Sequence, residues 1–298
     1  MNNQYVKYTI VFLEIILLFS LVVCLLRFSG SVPDEDLGSD ITDVPSEEPS
    51  PDDNTTENPD NIPSEDENPP EDDVPTEDIT PTPEAVDFSK MSYVAFGDSI
   101  TWGWVNSLQM DFPYPNLVAE KIGFSSVYNA GVPAGTLGVN NVGFPCVTDA
   151  ILASEVQYDI ISVMLGVNDY SVSVPLGDID DNTKDTVYGS LNLIADHLST
   201  YSRDSFVFFM TPYKCKLTTG TYKNKNDAGY TLADVATAIK EVAALYNIPV
   251  LDMFNEGQFE KEMYNYNSDG VHPSQEFIKE YTAPQIEAFI RQNYSNKR

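Results

Sequence analysis

The 298-residue chain carries 46 Asp and Glu against 16 Lys and Arg, a formal net charge of −30, with two His and three Cys. So acidic a chain is a poor partner for the phosphates of nucleic acid. With its histidines 75 positions apart, and without an HExxH pair or paired CxxC motifs, it offers no recognisable metal-ligand set and implies no cofactor.

In chain order, residues 8–26 come first and are apolar apart from Glu14. Their 14 Leu, Ile, Val and Phe side chains each favour insertion by roughly 0.3–0.6 kcal/mol, against about 3 for one mid-helix acid, and the run can span a bilayer. Residues 1–30 therefore read as a membrane anchor with the remaining chain outside the cell. The competing reading is a cleaved signal segment, for which Ser29-Gly30-Ser31 is the best available cleavage pattern. Cys24 follows Val23, where a lipoprotein would want a small residue.

Residues 31–87 hold 21 acids, no Lys or Arg, and 11 of the 20 prolines. Low hydrophobicity and high charge cannot offset the entropy of ordering, so this stretch reads as a self-repelling disordered tether. It would reach roughly 40 Å as a coil and about 170 Å if drawn into polyproline II. Removing its charge leaves about −9 for everything else.

Residues 88–298 are long enough for one core and alternate strands with helices, which implies an α/β fold with a parallel sheet. Tyr93-Val94-Ala95-Phe96 reads as a buried strand ended by Gly97, with Ser99 at its mouth. Tyr114–Gly123 reads as a helix with Pro115 near its start. Ser126-Val127-Tyr128 reads as a strand running into Asn129-Ala130-Gly131. Ile160–Leu165 is a third strand, opening onto Gly166-Val167-Asn168-Asp169. Val187, Leu191, Ile194, Leu198 and Tyr201 recur at helical spacing, and Ser205–Met210 is a fourth strand. Thr231 with Asp234 forms a capping box for a helix that buries Leu232, Val235, Ile239, Val242 and Tyr246. Ile248–Met253 is the fifth strand, and the tail from Ser274 is helical, kinked or divided by Pro284.

The chemistry rests on which base can reach Ser99. In Asp269-Gly270-Val271-His272 a carboxylate three residues before an imidazole can accept its Nδ1–H and leave Nε2 free to take the serine proton. His197 lies in a helical pattern with nothing serine-like beside it. The backbone N–H of Gly131, the Asn168 amide and the Ser99 N–H are suitable oxyanion donors. Asp98 and Asp169 read as structural, each able to bond backbone amides of its loop.

Gly97-Asp98-Ser99, Gly131, Gly166-x-Asn168-Asp169 and Asp269-x-x-His272, in that order, resemble the SGNH or GDSL-type hydrolases. The resemblance covers residues from about 91 onward. It implies a three-layer α/β/α sandwich with a five-stranded parallel sheet in flavodoxin-like order. It also implies catalysis by Ser99, His272 and Asp269 with an oxyanion hole of Ser99, Gly131 and Asn168. Trp102 and Trp104, close behind Ser99, and Tyr264 and Tyr266, ahead of Asp269, are candidates to line the substrate, or equally ordinary core. The expected activity is ester hydrolysis outside the cell, with O-acetyl groups on polysaccharide as the favoured substrate. The alternatives are an acyltransferase with the same triad and a non-catalytic glycan-binding module. Cys146 and Cys215 are expected to be separate thiols, a disulfide being the alternative.

Overall fold

The computed structural model describes residues 86–294, apart from 106–107, 156, 218–219 and 258–268. The apolar 8–26 segment, nearly all of the tether, Tyr264 and Tyr266 lie outside the described residues.

Five strands form one all-parallel sheet: β1 (Ser92–Gly97), β2 (Ser126–Gly131), β3 (Ile160–Met164), β4 (Phe206–Met210) and β5 (Val250–Leu251). Their order is β2-β1-β3-β4-β5, the flavodoxin-like arrangement. Registers pair Gly97 with Gly131 and Met164, Met164 with Met210, and Met210 with Leu251, so the carboxyl ends of all five strands finish level. The turns that leave these strands all open onto the same end of the sheet.

β1 leads into α1 (Ser99–Trp102) and α2 (Tyr114–Ile122), and β2 into α3 (Val147–Leu152). β3 leads into α4 (Val167–Ser171) and α5 (Val187–Tyr201), and β4 into α6 (Leu232–Leu245). After β5 come α7 (Met253–Glu256), α8 (Gln275–Phe277) and α9 (Ala283–Tyr294). Right-handed crossovers that step one way from β1 to β2 and the other way thereafter put α2 on one face and α3, α5 and α6 on the opposite face. α9 packs beside α2, while α5 touches both α3 and α6. The result is a three-layer sandwich.

Burial follows position in the sheet. β3, covered on both faces, is buried at all five residues, whereas edge strand β2 has no buried residue. Tyr93, Ile160, Ile161, Met164, Phe208 and Phe209 are less than 2% exposed or close to it, each contributing about 1.5–3 kcal/mol of apolar transfer. Thr231 and Asp234 make the reciprocal capping box at the start of α6, and Leu232, Val235, Ile239 and Val242 face the core.

One expectation needs correction: Tyr246 lies just past α6 and is half-buried rather than part of the helix's buried stripe. Tyr201 keeps the helical spacing of α5 and is 64% exposed. The tail is divided, as expected, here by a wide π-turn over Ile278–Thr282: Pro284 has no N–H for the carbonyl one turn back, so the ladder shifts before it. Cys146 and Cys215 are both free thiols, and burial pushes Cys215 up to about 12, which keeps it protonated.

Candidate active site

The site is assembled at the level carboxyl ends of β1, β2 and β3. After Gly97 the chain turns at once into α1. Asp98 caps that helix through Oδ1, which accepts the Ile100 N–H at 2.9 Å. Ser99 is thereby the first helical residue, 7% exposed, with an N–H that has no intrahelical partner.

Ser99 Oγ lies 2.8 Å from His272 Nε2. His272 Nδ1 lies 2.7 Å from Asp269 Oδ2, and Asp269 Oδ1 accepts the backbone N–H groups of Val271 and His272, each at 2.8 Å. One carboxylate thus holds both the ring and the turn that carries it. Burial by itself would raise the Asp269 carboxyl, but the His272 ring and the two amides outweigh it and hold the group down at about 2. Residues 173 positions apart in sequence therefore form an aligned hydroxyl–imidazole–carboxylate chain. The second histidine, His197, lies against Tyr201 on α5, ring centroids 4.6 Å apart.

Of the three expected oxyanion donors, Gly131 is engaged elsewhere. Gly131 cannot supply a free N–H: its amide donates to Asn129 Oδ1 at 2.9 Å. The glycine is there for close approach, since a Cβ would stand 2.2 Å from the Trp102 backbone nitrogen. Asn129 also donates its amide to the Thr101 carbonyl at 2.8 Å, so it ties the end of β2 to α1. Sequence shows a glycine and an asparagine two residues apart, but not that the second captures the amide of the first.

Asn168 is on α4, which begins immediately after Gly166, where φ of +117° turns the chain sharply away from β3. Its Nδ2 donates to the Gly135 carbonyl at 2.9 Å and retains a second N–H. Residue 134, just before that carbonyl, is Ala134 in the left-handed region at φ 60°. The loop after β2, rather than the strand end, is what faces Asn168. The sequence signal for this loop is the cluster Val132-Pro133-Ala134-Gly135, directly after Gly131.

Two aspartates near the site are buried. Asp98 is 2% exposed; burial pushes its carboxyl up to about 7, with the Ile100 amide and the His272 charge pulling down and Asp169 pushing up. Asp169 is fully buried and accepts the backbone N–H groups of Leu137 and Gly138, each at 2.9 Å.

Trp102 and Trp104 are half-buried, their rings 5.8 Å apart, and the Trp104 ring lies 6.2 Å from that of His272. They belong to a flap that turns back on itself through Gln109 Nε2 to the Trp102 carbonyl and Met110 N to the Gly103 carbonyl. Gln275, three residues beyond His272, closes the flap with both ends of its amide: Oε1 accepts the Phe112 N–H at 3.1 Å and Nε2 donates to the Phe112 carbonyl at 2.8 Å. Leu108 and Phe112 on this flap are 71% and 55% exposed. Among the described residues, no group of three His, Cys, Asp or Glu side chains is placed to hold a metal ion.

No curated protein matches the chain. Solved structures do. A Lactobacillus plantarum protein superposes with a TM-score of 0.59 at 25% identity, covering 68% of this chain and 98% of its own. A Chitinophaga pinensis protein described as a possible lipase gives 0.58 at 20% identity, over 69% and 100%. The lipase/acylhydrolase from Enterococcus faecalis gives 0.50 at 20% identity, over 68% and 96%. These likenesses concern the fold alone. A family model described as GDSL-like Lipase/Acylhydrolase matches residues 95–277, from inside β1 to the end of α8, and so takes in Ser99, Asn168, Asp269 and His272 together. By that match, across more than half its length, this chain belongs to the GDSL-like lipase/acylhydrolase family.

Proposed function

We propose that the protein is a serine esterase that removes small acyl groups, O-acetyl foremost, from carbohydrate outside the cell. The single observation that carries the reading is the chain Ser99 Oγ–His272 Nε2 at 2.8 Å with His272 Nδ1–Asp269 Oδ2 at 2.7 Å. Ser99 Oγ attacks the acyl carbonyl as Nε2 takes its proton. Asp269, ionised through the whole working range, fixes the tautomer and stabilises the imidazolium. The protonated ring then gives its proton to the departing sugar hydroxyl. Water, activated by the same ring, releases the acyl group and restores Ser99. The developing oxyanion is held by the Ser99 N–H, the remaining Asn168 N–H and, in place of Gly131, the Ala134 N–H of the loop that Asn168 grips.

The substrate class is supported by the indoles. Trp104 beside the base and Trp102 behind it present half-buried aromatic faces of the kind on which a pyranose ring stacks. Location is supported by sequence alone: the apolar 8–26 run would anchor the chain in the membrane, and the acidic tether would hold the catalytic domain away from it.

The test is a screen of residues 86–298 against acetylated sugars and p-nitrophenyl esters of increasing chain length, with Ser99→Ala alongside. Acetyl esters are expected to turn over fastest, and a clear preference for long acyl chains would overturn the carbohydrate reading. Acyl transfer to added glycan that outpaces hydrolysis would make the protein a transferase with the same triad. Glycan binding without labelling by a serine-directed phosphonate would make it a binding module.

A further inference from the structure

The reaction chemistry does not use Asp169, yet this carboxylate is fully buried at the edge of the site, an expensive place for a charge. Its two oxygens are spent on one loop. Oδ2 accepts from Leu137 N and Oδ1 from Gly138 N, at 2.9 Å each and across more than thirty residues of sequence. The preceding side chain, Asn168, grips the same loop at the Gly135 carbonyl. The backbone on the far side is fixed as well: the Asp169 carbonyl accepts from Val174 N at 2.9 Å and from the buried Tyr230 hydroxyl at 3.2 Å. Two consecutive residues of α4 therefore clamp a loop from three points, with Ala134 at the loop's strained turn.

We propose that Asp169 is a positioning residue for the oxyanion hole: its carboxylate locks the Val132–Gly138 loop onto α4, so that the loop amides and the Asn168 amide hold a fixed spacing around the reacting oxygen. The inference rests on the esterase reading above. Burial raises the carboxyl to about 6 against the pull of the Gly138 and Leu137 amides, so at neutral pH it is ionised and both oxygens can accept. A neutral amide in its place would turn an NH₂ group toward one of the two N–H donors and open the clamp on that side. Interactions that tighten only as negative charge develops show up in kcat and leave ground-state binding alone.

The test is Asp169→Asn in residues 86–298, assayed below its unfolding transition, with kcat expressed per serine labelled at completion by a phosphonate. The expected result is a fall in kcat of about 10- to 100-fold with KM held within about threefold, less than the 100- to 1,000-fold typical of deleting a donor outright. Inhibition by a small boronic acid, which becomes tetrahedral on Ser99, is expected to weaken by a similar factor, while inhibition by acetate does not change. Because both side chains serve one clamp, Asn168→Ala with Asp169→Asn is expected to be no slower than Asn168→Ala alone, within about threefold. A merely structural role would lower the melting temperature and the labelled fraction but leave kcat per labelled site intact; that result, or full multiplication of the two rate losses, would overturn the proposal. If Asp169→Asn does not fold, Gly138→Ala strains the same tie from the loop, since its Cβ would stand 2.6 Å from Val174 Cγ1. The same loss of kcat at constant KM is expected there, and unchanged kcat would overturn the proposal. Ser99→Ala separates the two levels. If it stays active, the esterase reading fails; if it is inactive while Asp169→Asn is fully active, only the positioning role fails.

Discussion

Two strand-to-helix junctions lie next to each other in the sheet, and each is built around a buried aspartate. After β1, Asp98 bonds the amide two residues along and shapes its own turn. After β3, Asp169 reaches beyond its own turn and bonds two amides of a different loop. Burial raises both carboxyls, to about 7 and about 6. The same side chain thus does local work in one case and joins two loops in the other. Only the reach of the bond separates a residue that shapes one corner from one that sets the distance between corners.

The largest effects should come from the serine at the β1 junction and from the carboxylate that orients its base. Ser99→Ala is expected to cut kcat by about 10⁶, and Asp269→Asn, which leaves the nucleophile in place but frees the wrong tautomer, by about 10⁴. Steady-state rates with the favoured acetyl ester measure both, and equal residual activity in Ser99→Ala and wild type would remove the junction's chemical role. Next in size is the loss of kcat expected for the clamp at the β3 junction. Asp98→Asn should behave differently: because Asp98 caps its own helix, it is expected to act chiefly on stability.

The sign of that stability effect is set by the raised carboxyls. Between the unfolded value of 3.8 and folded values of about 6 and about 7, the native state keeps protons that the unfolded chain releases. Stability is therefore lost as pH rises through this window. The wild-type melting temperature is expected to fall between pH 5 and pH 8, and Asp98→Asn to flatten that slope, as calorimetry at several pH values would show. A slope unchanged by the substitution would mean that Asp98 is ionised at no cost. The smallest effect is a control away from the site. Thr231 caps α6 with the same kind of side-chain-to-amide bond, and Thr231→Ala is expected to cost about 1 kcal/mol and leave kcat unchanged. A kcat change there would undo the distinction between capping and catalysis.

Much of this was legible in the residues. The five strands are apolar runs closed by turn residues, and a parallel sheet buried on both faces leaves such runs little alternative. Ser99, Asp269 and His272 could be named because so few bases were available and because the DxxH spacing closes within one turn. What sequence could not show was the direction in which a donor points. Gly131 is a glycine because Trp102 crowds it, and its amide belongs to Asn129. Asp169 reads as bonding amides of its own loop, whereas its partners are more than thirty positions earlier. Tyr201 keeps the helical period to the last residue of α5 and is exposed all the same. Each departure is a matter of which neighbour the fold brings near, something local pattern does not contain.

The paired bonds between the Gln275 amide and the Phe112 backbone join the polypeptide carrying the base to the polypeptide carrying both indoles. Ring and flap are thereby tied through one side chain. On the proposed esterase reading, an alcohol group bulky enough to push Trp104 outward is expected to pull on His272 through this tie and lengthen the path of the transferred proton. Substrates would then be sorted during turnover as well as at entry, and widening the cleft by substituting Trp104 is expected to help large esters only where Gln275 still holds the imidazole in line.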